Sequence, residues 1–230
     1  MAVQRFRVLF RKGERVRYIS HLDVLRFWER AIRRAELPLS YSQGFTPHPK
    51  LAFASPLPLG FMSEAEVMDV TLDERIDPEV FRSRLLPETT DDLSVIGISE
   101  IALSTLAPQA AILWADYRVD LVEADPDSVR SAVEGFLSCL EFPWTEEKKE
   151  RTKTYNLRLA VALLDAAPLD GGMRLNMRLQ ADATITARPE QVLQAILPGV
   201  APFAITRTGL LLDDPSPARE AWRRLGQYQS

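Results

Sequence analysis

Hydrophobic and polar positions follow strand and helix periodicities in turn along the first half of the chain. Residues 4–11 place Phe6, Val8 and Phe10 opposite a mostly basic face, which predicts a strand. Residues 20–36 have helical spacing, with Ser20 as the N-cap. The other elements predicted in this half are strands over 50–55, 67–72 and 92–101 and a helix over 78–86.

The second half repeats the same order of elements. The predicted strands cover 114–122, 155–163, 173–179 and 202–208, and the predicted helices cover 126–140 and 188–197. Strand, helix, strand, strand, helix, strand is the order of the split βαβ motif. The pattern therefore predicts an α+β fold of two tandem ferredoxin-like (βαββαβ) domains with antiparallel sheets. The predicted limits are 1–107 for the first domain, 108–212 for the second and 213–230 for a C-terminal tail.

Composition narrows the class of protein without identifying it. A chain with 46% hydrophobic and 26% charged residues has the make-up of a folded domain. No apolar run approaches the roughly 20 residues of a membrane span, and no apolar core follows the basic N-terminus. The single cysteine, Cys139, excludes an internal disulfide and is predicted to be buried. We expect a cytoplasmic protein without a membrane partner.

Charge is distributed unevenly along the sequence. Residues 1–50 carry a formal charge of +7, and the remainder carries −11, which together give the net charge of −4. A basic first segment attracts anions such as nucleic acid, nucleotides or an acidic partner. The alternative is that these arginines only solvate two strands and a helix.

Both histidines fall within residues 18–60. His21 follows Ser20 at the predicted helix start, where free backbone N–H groups and the helix dipole favour an anion. Asp23 either orients His21 or completes a capping box with Ser20. The alternative for His21 is that it is a half-exposed residue at the helix start without a chemical role.

Two glutamates follow the segment. Glu64 and Glu66 either pair with the arginines or are solvated at a strand start.

A loop rich in glycine and proline contains the second histidine. His48 lies between Pro47 and Pro49, which restrict the backbone and so fix the direction of the imidazole. Aromatic rings beside basic groups can stack a nucleobase, although such rings also close cores. The predicted anion- or substrate-binding residues are Ser20, Asp23, Arg26, Arg30, Arg33, Tyr41, Ser42, Gln43, Gly44, Phe45 and Lys50.

Metal and cofactor chemistry is not predicted. His21, His48 and Asp23 could in principle ligate zinc, but no spacing fixes them and the arginines would repel a cation. The phosphate-binding, dinucleotide-binding and serine-hydrolase motifs G-x-x-x-x-G-K-[ST], G-x-G-x-x-G and G-x-S-x-G are absent. We therefore predict neither a metal nor a cofactor.

The segment over residues 18–69 resembles a known protein family. Y-I-S-H-L-D, E-R-A-I-R-R-A, Y-S-Q-G-F-T-P-H-P-K-L-A-F-A-S-P-L-P-L-G and S-E-A-E resemble the radical-SAM-linked uncharacterised bacterial protein family. Thr46 stands where that family has asparagine. The chain has no C-x-x-x-C-x-x-C, so the resemblance implies that a radical SAM partner supplies any iron–sulfur chemistry. At the level of element order, the chain also resembles the Cas6-like RNA-processing proteins.

Three functions follow as hypotheses. The first is an accessory protein that binds RNA or nucleotide phosphate and acts with a radical SAM enzyme. The second is a metal-independent endoribonuclease in which His21 and His48 are catalytic. The third is a protein-interaction subunit without nucleic-acid binding, whose acidic second half docks a partner.

Overall fold

The computed structural model describes residues 2–148 and 151–213, which form a mixed α+β fold with mostly antiparallel strand pairing. The strands are β1 (Gln4–Lys12), β2 (Leu51–Phe53), β3 (Met62–Leu72), β4 (Val95–Ile101), β5 (Ile112–Val122), β6 (Pro143–Lys148), β7 (Arg151–Asn156), β8 (Val161–Leu169), β9 (Gly172–Gln180) and β10 (Ala204–Leu212). The helices are α1 (His21–Arg34), α2 (Pro78–Leu85), α3 (Pro108–Ala111), α4 (Pro126–Ser138) and α5 (Pro189–Ile196).

The chain divides into two compact units. Among the described residues, the first unit comprises 2–112 and 209–213, and the second comprises 113–208. The first unit is therefore discontinuous in sequence, and strand β10 contributes residues to both units. The continuous part of the first unit ends at Ile112. Apart from Asp213, the predicted tail over 213–230 lies outside the described residues.

The first unit is built around strand β1. This strand pairs antiparallel with β3 and β4, and β2 pairs antiparallel with β3, so the neighbour order is β4-β1-β3-β2. Helix α1 buries Trp28 against the sheet, and the Trp28 and Phe10 ring centroids are 4.9 Å apart. Phe6 stacks on Phe81 of α2 at 4.1 Å. These aromatic contacts anchor both helices to one face of the sheet.

The opposite face of β1 is not a basic surface open to anions. Arg7 is buried and donates from Nε and Nη2 to the two carboxylate oxygens of Asp69, at 2.7 and 3.0 Å. Arg5 Nε lies 3.7 Å from the same carboxylate, and Arg7 also donates to the Leu106 carbonyl at 3.3 Å. The sequence pattern predicted a mostly basic face here, and Arg7 lies on that face, but Asp69 opposite it on β3 pairs with it and the side chain is buried.

The second unit has neighbour order β10-β5-β9-β8, with β6 and β7 forming a separate antiparallel pair. The single strand predicted over 155–163 is wrong, because β7 ends at Asn156 and β8 begins at Val161. Ala160 and Val161 are both buried, so the period of two is broken between them. Cys139, predicted to be buried, is exposed just beyond the end of α4. None of the helices in the described ranges is long and apolar enough to cross a bilayer.

Candidate functional site

The start of α1 is held by a reciprocal capping box. Ser20 Oγ accepts from the Asp23 backbone N–H at 3.2 Å, and the Ser20 backbone N–H donates to Asp23 Oδ2 at 3.3 Å. Hydrogen bonds from the Ser20 side chain and backbone, together with the nearby Arg26, lower the pKa of Asp23 below its ordinary value. The predicted capping box is therefore confirmed. Ser20 and Asp23, which are both predicted site residues, hydrogen-bond to each other at the helix start.

His21 lines a small cleft with groups that can exchange protons. Its ring meets Phe53 edge to face, with centroids 5.1 Å apart. The cleft has a volume of about 10 Å³, enough for roughly one water molecule. Two of its charged residues are buried, since Lys12 is 2% exposed and Glu66 is 5% exposed. Its full lining is Phe10, Lys12, His21, Val24, Phe53, Ser55, Leu57 and Glu66.

Lys12 and Glu66 were not among the predicted site residues. Phe10 pairs with Glu66 and Lys12 pairs with Ser63, so a step of two residues along β1 corresponds to a step of three along β3, and the strands form a β-bulge here. Regular alternation from Met68 places Glu66 on the face of the core, opposite Phe10, and Glu64, which lies within the bulge, is exposed. Of the two alternatives for these glutamates, solvation at a strand start is wrong for Glu66, which is buried. Lys12 Nζ donates to the Arg17 and Ile19 carbonyls at 2.9 and 3.3 Å.

The loop that contains His48 is closed at its base. Tyr41 forms an antiparallel bridge with Pro49, and the Ser42 backbone N–H donates to the His48 carbonyl at 2.8 Å. The His48 backbone N–H donates to Ser42 Oγ at 2.9 Å. Residues 43–48 are all exposed, and the Phe45 ring is fully exposed to solvent. A defined loop therefore presents an aromatic ring and an imidazole outward.

Gly44 sets the direction of the loop tip. Its φ is +133°, in a region that side chains rarely adopt, and a Cβ there would meet nothing within 4 Å. The backbone conformation therefore requires glycine at this position, although there would be room for a side chain. Since Phe45 follows directly, the glycine helps to set where its ring points.

A wide groove lies between the second half of α1 and the chain that follows it. Its volume is about 600 Å³, and its lining includes Arg33 and Tyr41 from the predicted set. Tyr41 is half-buried and packs on the core, which supports one edge of the groove. The full lining is Glu29, Arg33, Leu37, Pro38, Leu39 and Tyr41. Glu29 was not predicted, because a lone glutamate on a helix has no distinguishing signal.

The remaining predicted cations lie on exposed surface. Arg26 Nη1 is 3.7 Å from Asp23, and Arg30 and Lys50 are exposed. The predicted residues are divided between the two sites. His21 lines the cleft, Arg33 and Tyr41 line the groove, and His48 lines neither. Across residues 2–148 and 151–213, no group of three or more His, Cys, Asp or Glu side chains could hold a metal ion.

Comparison with known proteins identifies one family. Residues 5–189 match the profile of a family described as "Uncharacterized protein conserved in bacteria (DUF2344)". No curated protein matches the chain.

Three solved structures show distant similarity. A chain of a "Cbf5-Nop10-Gar1 Complex" has 11% identity and a TM-score of 0.48, covering 88% of this chain and 48% of that one. A chain of "the archaeal box H/ACA sRNP Nop10-Cbf5 complex" has 13% identity and a TM-score of 0.43, covering 88% and 47%. "An Unknown Protein from Galdieria sulphuraria" has 15% identity and a TM-score of 0.25, covering 93% and 99%. The chain spans about half the length of the first two, and at these TM-scores none of the three contributes to a functional assignment.

Proposed function

The chain belongs to the bacterial family of DUF2344 proteins, and from this premise we propose that it is an accessory protein that binds single-stranded RNA or nucleotide phosphate. The observation that carries the proposal is the position of Tyr41. This residue lines the groove beside Arg33 and also closes the base of the loop that exposes Phe45. A stacking platform for bases combines aromatic rings with a nearby cation. Here Phe45 and Tyr41 supply the rings and Arg33 supplies the cation.

Exposed cations supply the electrostatic part of the proposal. Arg26, Arg30 and Arg33 lie on α1, and Lys50 follows the loop. Phosphate contacts of this kind attract RNA without reading its sequence, and they release counterions on binding. We therefore assign these four side chains to the phosphates, and Tyr41 and Phe45 to the bases.

A Phe45→Ala variant tests the proposed RNA binding. We expect it to bind a fluorescein-labelled single-stranded RNA about 5- to 160-fold more weakly than the wild type, since stacking on an aromatic ring contributes about 1 to 3 kcal/mol per base. Fluorescence anisotropy measures this at salt concentrations from about 50 to 200 mM, over which the wild-type affinity should fall. Because Phe45 is fully exposed, its removal should leave the melting temperature unchanged.

Phe203→Ala is the matched control, because Phe203 is also a largely exposed phenylalanine but lies in the second unit. It should bind RNA like the wild type. Equal losses in both variants, or a wild-type affinity that does not change with salt, would contradict the proposal. A protein that binds no RNA at all would favour the protein-interaction subunit instead.

We further propose a radical SAM enzyme as the protein partner. The support is the resemblance of residues 18–69 to the radical-SAM-linked family, together with a single cysteine that cannot by itself hold an iron–sulfur cluster. Co-expression with a radical SAM protein encoded in the same genome, followed by affinity purification, tests it. Failure of the two to co-purify would count against this partner.

We also propose that each unit is a ferredoxin-like domain. The support is that both units show the same connectivity of strands, with the fourth strand beside the first and the third between the first and the second. In the second unit the pair β6–β7 is then an insertion between α4 and β8. An experimental structure with a different strand order would contradict this assignment.

Cleavage of RNA is the second candidate function, and the cleft at His21 favours it. An imidazole that lines a cavity with a buried lysine and a buried carboxylate can transfer protons near neutral pH. In this candidate His21 is the general acid or base, and His48 supplies the second imidazole if bound RNA brings the loop to it. RNA cleavage that persists unchanged without His21 would exclude the first of these roles.

A further inference from the structure

The groove between α1 and residues 37–41 combines a carboxylate with a cation and an apolar wall. Glu29 and Arg33 are one helical turn apart and so lie on the same face of α1. Leu37, Pro38 and Leu39 provide the apolar lining, and Tyr41 adds a ring with a hydroxyl group. The groove has a volume of about 600 Å³ and is largely open to solvent, so a ligand there would lie along the surface rather than inside a closed pocket.

Glu29 is the residue that a simple phosphate site would not contain. A carboxylate repels phosphate, so the phosphate must lie towards Arg33 and another part of the ligand towards Glu29. An ionised carboxylate has two oxygens that only accept hydrogen bonds. The part of the ligand that faces Glu29 therefore presents N–H or O–H donors, ideally two of them side by side.

Among the four RNA bases, only guanine presents two adjacent donors, N1–H and the 2-amino group, on its Watson–Crick edge. Adenine and cytosine pair one amino donor with a ring acceptor, which a carboxylate oxygen would repel. Uracil has a single N–H between two carbonyls. We propose that this groove is a guanine-selective subsite, with Glu29 on the Watson–Crick edge, Tyr41 against the ring and Arg33 on a phosphate. The inference rests on the proposed RNA binding and specifies the base that it selects.

The test uses labelled uridine octamers that carry one central guanine, inosine, adenine or cytosine. The wild type should bind the guanine octamer about tenfold more tightly than the adenine octamer, as expected for a bidentate contact to a base edge. Inosine keeps N1–H but lacks the 2-amino group, so its affinity should fall between the two. This intermediate value distinguishes hydrogen bonding from the shape of the purine ring.

Glu29→Gln should remove the guanine preference and favour adenine, because an amide offers one acceptor and one donor. A role of Glu29 in folding alone would not reverse the preference between two bases. Glu134→Gln is the matched control, since Glu134 is an exposed helical glutamate in the second unit. It should keep the wild-type preference.

The outcomes distinguish failure of the guanine subsite from failure of RNA binding. Wild-type protein that binds all four octamers equally, with affinity that falls as salt rises, would overturn the guanine subsite and leave RNA binding intact. A guanine preference that survives in Glu29→Gln would also overturn it. If none of the octamers binds, the proposed function and the subsite both fail.

Discussion

An Asp69→Ala variant is expected to lose about 3 to 5 kcal/mol of unfolding free energy, because it removes the carboxylate that balances the charge of the buried Arg7. The side chains of Arg7 and Asp69 are only 1% and 2% exposed, and two hydrogen bonds of 2.7 and 3.0 Å join them. Urea unfolding followed by circular dichroism measures the loss. Hydrogen exchange at the amides of β1 and β3 assigns it to the first unit.

Asp116→Ala is the matched control. Its partner Arg178 donates to it at 2.7 and 2.8 Å in the same bidentate geometry, but these side chains are 27% and 40% exposed. We expect a loss of about 1 kcal/mol or less, since solvent screens exposed pairs. Similar losses in the two variants would show that burial does not determine how much an ion pair contributes to the free energy of unfolding. The double variant Arg7→Met, Asp69→Leu should recover much of the stability, because it removes both charges.

If the protein cleaves RNA, His21→Ala should slow cleavage about 10²- to 10⁴-fold, which is the usual contribution of a general acid or base. The reason is that the imidazole is the side chain in the cleft whose ordinary pKa lies nearest neutrality. Gel analysis of an end-labelled RNA under single-turnover conditions measures the rate constant. Added imidazole should restore part of the rate, which recovery of folding alone would not do.

His48→Ala separates the two histidines. It removes an exposed side chain from the loop, and that loop is closed by backbone atoms and Ser42 Oγ rather than by the imidazole. A similar slowing in both variants would mean that the two imidazoles act on one phosphate during cleavage. An unchanged rate in His21→Ala would exclude His21 as the general acid or base.

The start of α1 was predictable because its determinants are local. Ser20 and Asp23 are three residues apart, and a capping box needs only that spacing and a helical sequence after it. Pro38 likewise predicted that the helix would end before it, and α1 ends at Arg34. Such features depend on a few neighbouring residues and not on the rest of the fold.

Glu66 and Arg7 show where such reasoning fails. Met68, Val70 and Leu72 alternate on the core face of β3, and extending that alternation backward reaches Glu66. From the sequence alone, a glutamate in that position is expected to be solvated. Its burial becomes clear only when its neighbour on β1, Phe10, is known. Arg7 needs its cross-strand partner in the same way, because only the register of β1 against β3 places Asp69 opposite it. Strand register over more than 50 residues of sequence is not encoded in either segment alone.

The two features that form the proposed interface were predictable to different degrees. Gly44 and the prolines around His48 predicted an irregular loop, and the structure has one. The full exposure of Phe45 was not predictable, because an aromatic ring in a loop can equally well close a core. The groove at Glu29 depends on how α1 and residues 37–41 pack, and a single sequence does not encode that distance.

The discontinuous first unit determines how the chain can be dissected. Residues 113–208 form one continuous stretch, so a recombinant fragment with these ends retains every described residue of its unit. A fragment that stops at residue 112 lacks 209–213, including the last residues of strand β10. Poor solubility of that truncation would then reflect a missing piece of its own unit. A circularly permuted gene, or a short linker in place of 113–208, is the better route to isolating the half that carries both histidines.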